Sequence, residues 1–254
     1  MIVRPPDNFI VYDYQNLADF GVRVSGDKTF GAPERDYEEV EVPGKSGSLT
    51  FDKGRFKNYK LEYEASILGK NEVDFQIKID ALRSFLMSRY SYKRLEDTYH
   101  PEEFRLAKYV GGFDPEVIMM QGSNFTLEFD CKPQRFYKNG EFPVTVDHNT
   151  ILYNYTFYEA KPIIRVYGYG TLNFGTMEIV ITDHSEAGIP YIDIDSDMKD
   201  CAYDGTNCNP YVEFRSGDLV RDFPVLLPGE TPISFVDTGN HIEKVEITPR
   251  WYTI

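Results

Sequence analysis

Between Glu38 and Ile67 the chain alternates apolar and polar residues with a period of two, the signature of extended strands with two chemically different faces. Val40 and Val42 fall on one side and Glu39 and Glu41 on the other, and Leu49 and Phe51 resume the pattern, which predicts a half-buried strand pair. Pro43-Gly44-Lys45-Ser46-Gly47-Ser48 interrupts it with small, flexible residues suited to an exposed loop. Asp52, Lys53 and Gly54 supply turn chemistry before Tyr59, Leu61, Tyr63, Ala65 and Ile67 restart the period opposite Lys60, Glu62 and Glu64, so a long hairpin is expected. Ahead of it, residues 9–14 and 22–24 read as strands that complete a small antiparallel sheet.

One segment has a helical period. From Asp74, residues Phe75, Ile79, Leu82 and Leu86 recur at steps of four, three and four, drawing one apolar stripe, with Asn71 or Asp74 as N-cap and an end near Arg89. At ~1.5 Å per residue such a helix covers about 20 Å of a sheet face. Tyr90, Tyr92, Leu95 and residues 99–105 return to strand and turn composition. Residues 117–120 and 125–129 predict a closing hairpin around Gln121-Gly122-Ser123-Asn124. Turn residues then break the pattern from Pro133 to about Lys161, where the domain boundary is expected. Beyond it, short runs at residues 163–167, 177–181, 191–194, 233–235 and 245–247, separated by Gly, Asp and Pro, predict an antiparallel β-sandwich.

Composition narrows the function. The 254 residues suffice for two ordinary domains, each with its own core. Aromatic residues reach 15%, with 19 Tyr and 18 Phe against one Trp, which suits strands and wet interfaces. A net charge of −14 argues against sequence-specific nucleic-acid binding, since holding phosphates requires a basic face. No apolar run approaches the ~20 residues that cross a bilayer, so no membrane insertion is expected, and Met1-Ile2-Val3-Arg4-Pro5-Pro6 lacks a signal-peptide layout, which predicts synthesis in the cytoplasm. Cys131, Cys201 and Cys208 are odd in number and predict free thiols.

Motifs of catalysis are incomplete. Gly44-Lys45-Ser46 ends like a phosphate-binding loop, but Glu39 stands where that loop needs its first glycine. Gly168-Tyr169-Gly170 begins a dinucleotide fingerprint that Asn173 breaks, so it reads as a turn. Asp193, Asp195 and Asp197 alternate like calcium ligands, yet Met198 occupies the glycine position; they read as outward carboxylates with Ile192 and Ile194 inside. His100, His148, His184 and His241 show no zinc spacing or triad pattern. Trp251 reads as packing rather than a sugar platform, because Val245 and Ile247 give its strand a buried face. No enzyme, cofactor or metal is expected.

The stretch from Glu34 to Tyr59, ERDYEEVEVPGKSGSLTFDKGRFKNY, resembles the N-terminal domain of distal tail proteins of long, non-contractile-tailed phages and prophages. Further landmarks follow in the same order: Asp97-Thr98-Tyr99-His100-Pro101-Glu102-Glu103 with Arg105, Gly111-Gly112-Phe113, Cys131-Lys132-Pro133-Gln134-Arg135-Phe136, and Lys244 to Trp251. The resemblance implies a mainly β chain. A ring-forming belt domain, a β-sandwich or split barrel with one helix, would occupy residues 1–134. A galectin-like sandwich would occupy residues 135–254, with residues 244–254 placed either there or back on the first domain. It also implies a homo-hexameric hub at the virion tail tip, assembled in the bacterial host. This hub would join the tail tube and tape-measure proteins to a tail-associated lysin or fibre protein and support receptor-binding components. The implied ring interface comprises Glu39, Glu41, Pro43, Gly44, Lys45, Ser46, Gly47, Ser48, Arg55, Phe56 and Tyr59, with Tyr99 and Arg105 in support. The chain's acidity predicts an acidic or neutral channel for DNA. A carbohydrate-binding module contacting the host wall is the alternative reading.

Overall fold

The computed structural model describes residues 8–25, 31–113, 115–118, 122–146, 148–216, 223–235 and 241–254. Two compact units divide it, Met1–Arg135 with Ile254, and Phe136–Thr253.

The first unit is a curled antiparallel sheet plugged by one helix. Its strands are β1 (Ile10–Tyr12), β2 (Gln15–Asn16), β3 (Val22–Ser25), β4 (Arg35–Glu41), β5 (Ser48–Phe56), β6 (Tyr59–Leu68), β7 (Lys93–Asp97), β8 (Glu103–Tyr109), β9 (Glu116–Ile118) and β10 (Gly122–Tyr137). The sheet runs β2-β1-β7-β8-β10-β6-β3, with β9 also on β10. An isolated bridge between Asn8 and Val24 joins the segment before β1 to β3, so the two ends of the sheet are drawn together. β1 and β3 thus belong to opposite ends of one large sheet, not to a small sheet of their own. A closing hairpin forms, but not around the expected turn: Gly122, Ser123 and Asn124 already belong to β10 and pair with Ile118, Val117 and Glu116 of β9, while Met119, Met120 and Gln121 lie outside the described residues.

Helix α1 (Glu72–Met87) starts as its sequence predicts: the Asn71 side chain accepts the Asp74 backbone N–H at 2.9 Å. Its stripe of Phe75, Ile79, Leu82 and Leu86 is buried against Ile10, Tyr12, Leu17, Leu95, Leu127 and Phe129 of the sheet and its connections. Entry to the helix requires Gly69, where a Cβ would sit 2.6 Å from the Phe75 backbone nitrogen. β4 and β5 stand apart as a separate two-stranded sheet.

The second unit packs two antiparallel sheets over one core. The first sheet is built from β11 (Val144–Val146), β13 (Ile163–Tyr167), β16 (Tyr191–Asp195), β17 (Asp200–Tyr203), β18 (Thr206–Asn207) and β21 (Lys244–Thr248), in the order β11-β21-β13-β16-β17-β18. β12 (Asn149–Asn154), β14 (Gly170–Phe174), β15 (Met177–Ile181), β19 (Val212–Ser216) and β20 (Gly229–Phe235) make the second, in the order β12-β20-β14-β15-β19. Ile164, Val166, Ile192, Ile194, Val245 and Ile247 from one sheet meet Leu172, Phe174, Ile179, Ile181 and Ile233 from the other, the alternation expected of facing sheets. The strand signal does not stop at Pro133: β10 passes through it to Tyr137.

Candidate assembly surface

The β4–β5 hairpin projects as an arm. Its register pairs Glu41 with Ser48, Val40 with Leu49, Glu39 with Thr50, Glu38 with Phe51 and Tyr37 with Asp52. Directly opposed residues share a face, so Val40, Leu49 and Phe51 line one side with Glu38, while Glu39, Glu41, Thr50 and Tyr37 line the other. The reversal lies in residues 42–47, where Lys45 N donates to Val42 O at 3.1 Å. Gly44 and Gly47 have φ of 80° and 85°, values that a side chain would strain.

Two expectations change here. The pair is exposed rather than half-buried: Phe51 is 58% accessible and Tyr37 50%. Asp52, Lys53 and Gly54 do not reverse the chain either. They form an irregularity inside β5, with a register shift between Asp36 and Tyr37, and Asp52 Oδ1 accepts the Gly54 N–H at 2.8 Å. The signals coincide because a bulge and a turn both use a glycine at positive φ, here 70°. The next strand, β6, pairs with β3 and β10 instead of β5.

Ion pairs stiffen the base of the arm. Arg35 meets Asp52 through Nη2 at 2.6 Å and Nε at 3.0 Å, and Asp36 takes Arg55 at 2.7 Å and Lys53 at 3.5 Å. Arg55 and Phe56 therefore belong to the arm, with Arg35 lying over the Phe56 ring at 4.9 Å. Hydrogen bonds from Arg55 hold the Asp36 carboxyl below its ordinary range, and those from Arg35 and the Gly54 amide do the same for Asp52.

Arg105, Tyr59 and Tyr99 sit elsewhere, in the curled sheet. Arg105 is only 3% accessible and is spent inside the subunit: Nη1 donates to Asp97 Oδ2 at 3.0 Å and Nε to the Tyr59 hydroxyl at 3.0 Å. Tyr63 donates to the same Asp97 oxygen at 2.7 Å, and Asp97 Oδ1 accepts the His100 backbone N–H at 2.7 Å. Burial pushes the Asp97 carboxyl up, but the Tyr63 hydrogen bond and the Arg105 charge outweigh it and leave its pKa lowered. Tyr99 receives a hydrogen bond from Asn8 at 3.2 Å, tying down the segment that closes the sheet. The hydrogen-bonded pair of Arg105 and Asp97 thus serves the domain's interior, and nothing in the spacing of residues 97–105 distinguishes that role from an interface one.

The remaining candidates resolve into structure. Asp193 pairs with Arg165 at 2.7 and 2.8 Å, Asp195 with Arg250 at 2.7 and 2.8 Å, and Asp197 with Lys161 at 3.0 Å. Trp251 is buried in the second core. Gly168 turns with φ of 88°, beside the His241 carbonyl. His184 is buried, with Nδ1 3.0 Å from Thr182 O. All three cysteines are buried and free, and burial pushes the Cys131 and Cys201 thiols up to about 12. Among the described residues no group of acidic, His or Cys side chains could hold a metal, and no helix is long and apolar enough to cross a membrane.

Residues 13–131, within the first unit, match the family model of the phage tail protein RIFT-related domain. The first unit is thus similar to a phage tail domain. The whole chain is similar in fold to the Dit protein (gp 19.1) of phage SPP1, described as a paradigm of the hub adsorption apparatus in phages infecting Gram-positive hosts; the TM-score is 0.67 at 17% identity, covering 97% of this chain and 99% of that one. Phage P2 baseplate structures in the activated conformation are also similar. The calcium form gives a TM-score of 0.51 at 9% identity and the strontium form 0.50 at 11%, each covering 95% of this chain and 96% of that one. No curated protein sequence matches.

Proposed function

We propose that this protein is the structural hub of a siphophage distal tail: a non-enzymatic subunit that closes into a homo-hexameric ring at the virion tail tip. Residues 1–134 form the ring and residues 135–254 a galectin-like sandwich outside it. The ring joins the tail tube and tape-measure end to a tail-associated lysin or fibre protein, supports receptor-binding components and lets DNA pass. The similarity to a phage tail domain and the likeness in fold over nearly the full length of the SPP1 protein support this reading.

The single observation that carries it is the arm. An isolated two-stranded ribbon is marginal in water. This one stays separate from the other three sheets yet exposes Val40, Leu49 and Phe51 on one face. Its free strand edges and its apolar face call for a neighbour, and one such contact repeated about a rotation axis closes a ring. Native mass spectrometry of the full chain should give six copies of 29.4 kDa. Deleting residues 44–48 should shift that population toward monomer while leaving the melting profile of each unit intact. A deletion variant that assembles like the parent would remove the arm from the account.

A further inference from the structure

The hairpin β17–β18 sets two of the three cysteines opposite each other. Asp204 and Gly205 reverse the chain with φ of 43° and 77°, the two left-handed residues of a tight hairpin turn. Tyr203 then pairs with Thr206, and Ala202 with Asn207. One step further from the turn, the Cys208 N–H donates to Cys201 O at 2.7 Å, so Cys201 and Cys208 are the next opposed pair. Opposed residues share a face, and both of these side chains are fully buried in the core of the second unit. In an antiparallel ladder a hydrogen-bonded pair has its Cα atoms about 5.5 Å apart, inside the window of about 4.4–6.8 Å that a disulfide spans. The Cys201 N–H donates to Asn209 Oδ1 at 3.0 Å and Asn209 Nδ2 to Asp200 Oδ1 at 2.8 Å, which fixes the backbone around the pair without any covalent link. Cys131 is the contrast: it is equally buried, in the other core, but stands opposite Tyr59.

We propose that Cys201 and Cys208 form a reversible disulfide that staples this hairpin to itself at the edge of the sandwich. β18 ends its sheet, with β17 on one side and no strand on the other, and both of its residues are exposed. A short edge strand of this kind opens before the core strands do. Burial pushes the Cys201 thiol up to about 12 and raises that of Cys208 as well, so the closed hairpin keeps both protonated and unreactive. Opening of β18 frees them to react with a small disulfide such as oxidised glutathione. The Cys208 thiolate attacks one glutathione sulfur and expels the other as a thiolate; the Cys201 thiolate then attacks the Cys208 sulfur and expels the second. Two protein thiols have then given up two protons and an electron pair, and the glutathione disulfide has become two thiols. Cytoplasmic thiols hold such a pair reduced and an oxidising medium links it. On the tail-tip reading above, the staple therefore forms after release from the host, although the pair itself does not depend on that reading.

The test holds the full chain in oxidised glutathione with urea below the unfolding transition, which opens the edge and leaves the core folded, and then counts thiols after denaturation. Of the three thiols one should remain, and the intact mass should fall by two hydrogens with no glutathione attached. Cleavage before Asp204 should leave the fragments carrying Cys201 and Cys208 joined until a reductant is added. Cys201→Ala, which lacks the resolving thiol, should instead keep one glutathione on Cys208. The linked parent should melt at least ~5 °C above its reduced form, a shift that Cys201→Ala does not show. Three thiols at the end of the incubation, glutathione held on both cysteines of the parent, or a link to Cys131 overturns the pairing. A linked chain that melts with the reduced one overturns the staple. Each of these results leaves the hub reading standing, because that reading is tested by assembly.

Discussion

Arg35–Asp52 on the arm and Arg105–Asp97 in the curled sheet are the same chemical pair in opposite surroundings. The first joins at 2.6 Å with both side chains about half exposed at 47%. The second joins at 3.0 Å with both almost sealed from water. Water screens the first pair and competes for its hydrogen bonds, so it shapes the arm without holding the domain together. The second has no such substitute. Removing either partner leaves a charge in a low-dielectric interior, and the surrounding Tyr59, Tyr63 and His100 contacts lose their centre. The difference separates two kinds of construction in one domain: a core that fixes the fold and a projecting ribbon free to serve a neighbour.

Breaking the buried pair should produce the largest effect. Asp97→Ala is expected to cost about 3–5 kcal/mol, read by denaturant unfolding of the full chain, because Arg105 is then buried without a counter-charge. Tyr63→Phe removes one hydrogen bond to that carboxylate and should cost about 1–3 kcal/mol in the same assay. Acid should act through the same group. The folded pKa of Asp97 is lowered, so its contribution is complete above the unfolded value of about 3.9 and is lost as pH falls through the folded one. A pH series should therefore show a stability loss below about pH 4 that Asp97→Asn lacks. On the arm, Phe51→Asp should change monomer stability by no more than ~0.5 kcal/mol, since the ring is exposed in the single chain. Arg35→Ala should leave the unfolding midpoint unchanged within error. A large loss in either arm variant would mean that the arm is part of the fold's cooperative unit.

Much of this organisation was legible in the residues. Phe75, Ile79, Leu82 and Leu86 announce both the helix and its buried side, because a 3.6-residue period leaves few other readings. The mainly β character follows as directly from the alternation in β6, β13 and β15. Exposure of the arm is not legible in the sequence for a definite reason. Alternation of Val40 and Leu49 with Glu39 and Glu41 says which side is apolar, but it cannot say whether the cover comes from the same chain or another. The Asp52–Gly54 irregularity reads as a turn in the sequence because its signal is a local φ preference common to both structures. From sequence Arg105 reads as a support for the interface because the Tyr59 hydroxyl it binds, and the Tyr63 hydroxyl that shares its Asp97 partner, come from a strand distant in sequence, and nothing local reports that network. Nor does any local pattern place β1 and β3 at opposite ends of one sheet, since strand order is settled by long-range pairing.

Amide hydrogen exchange on the full chain, followed as assembly proceeds, tests most directly whether the arm is a surface between copies. In the monomer, amides at the outer edges of β4 and β5 face water and should exchange rapidly, while those around Asp97 and Arg105 are already protected. Protection of residues 35–56 should rise with the fraction of assembled protein, and that of β7 and β8 should stay constant. If the arm exchanges as quickly in the assembled form as in the monomer, its apolar face has another purpose and the ring is held by some other surface.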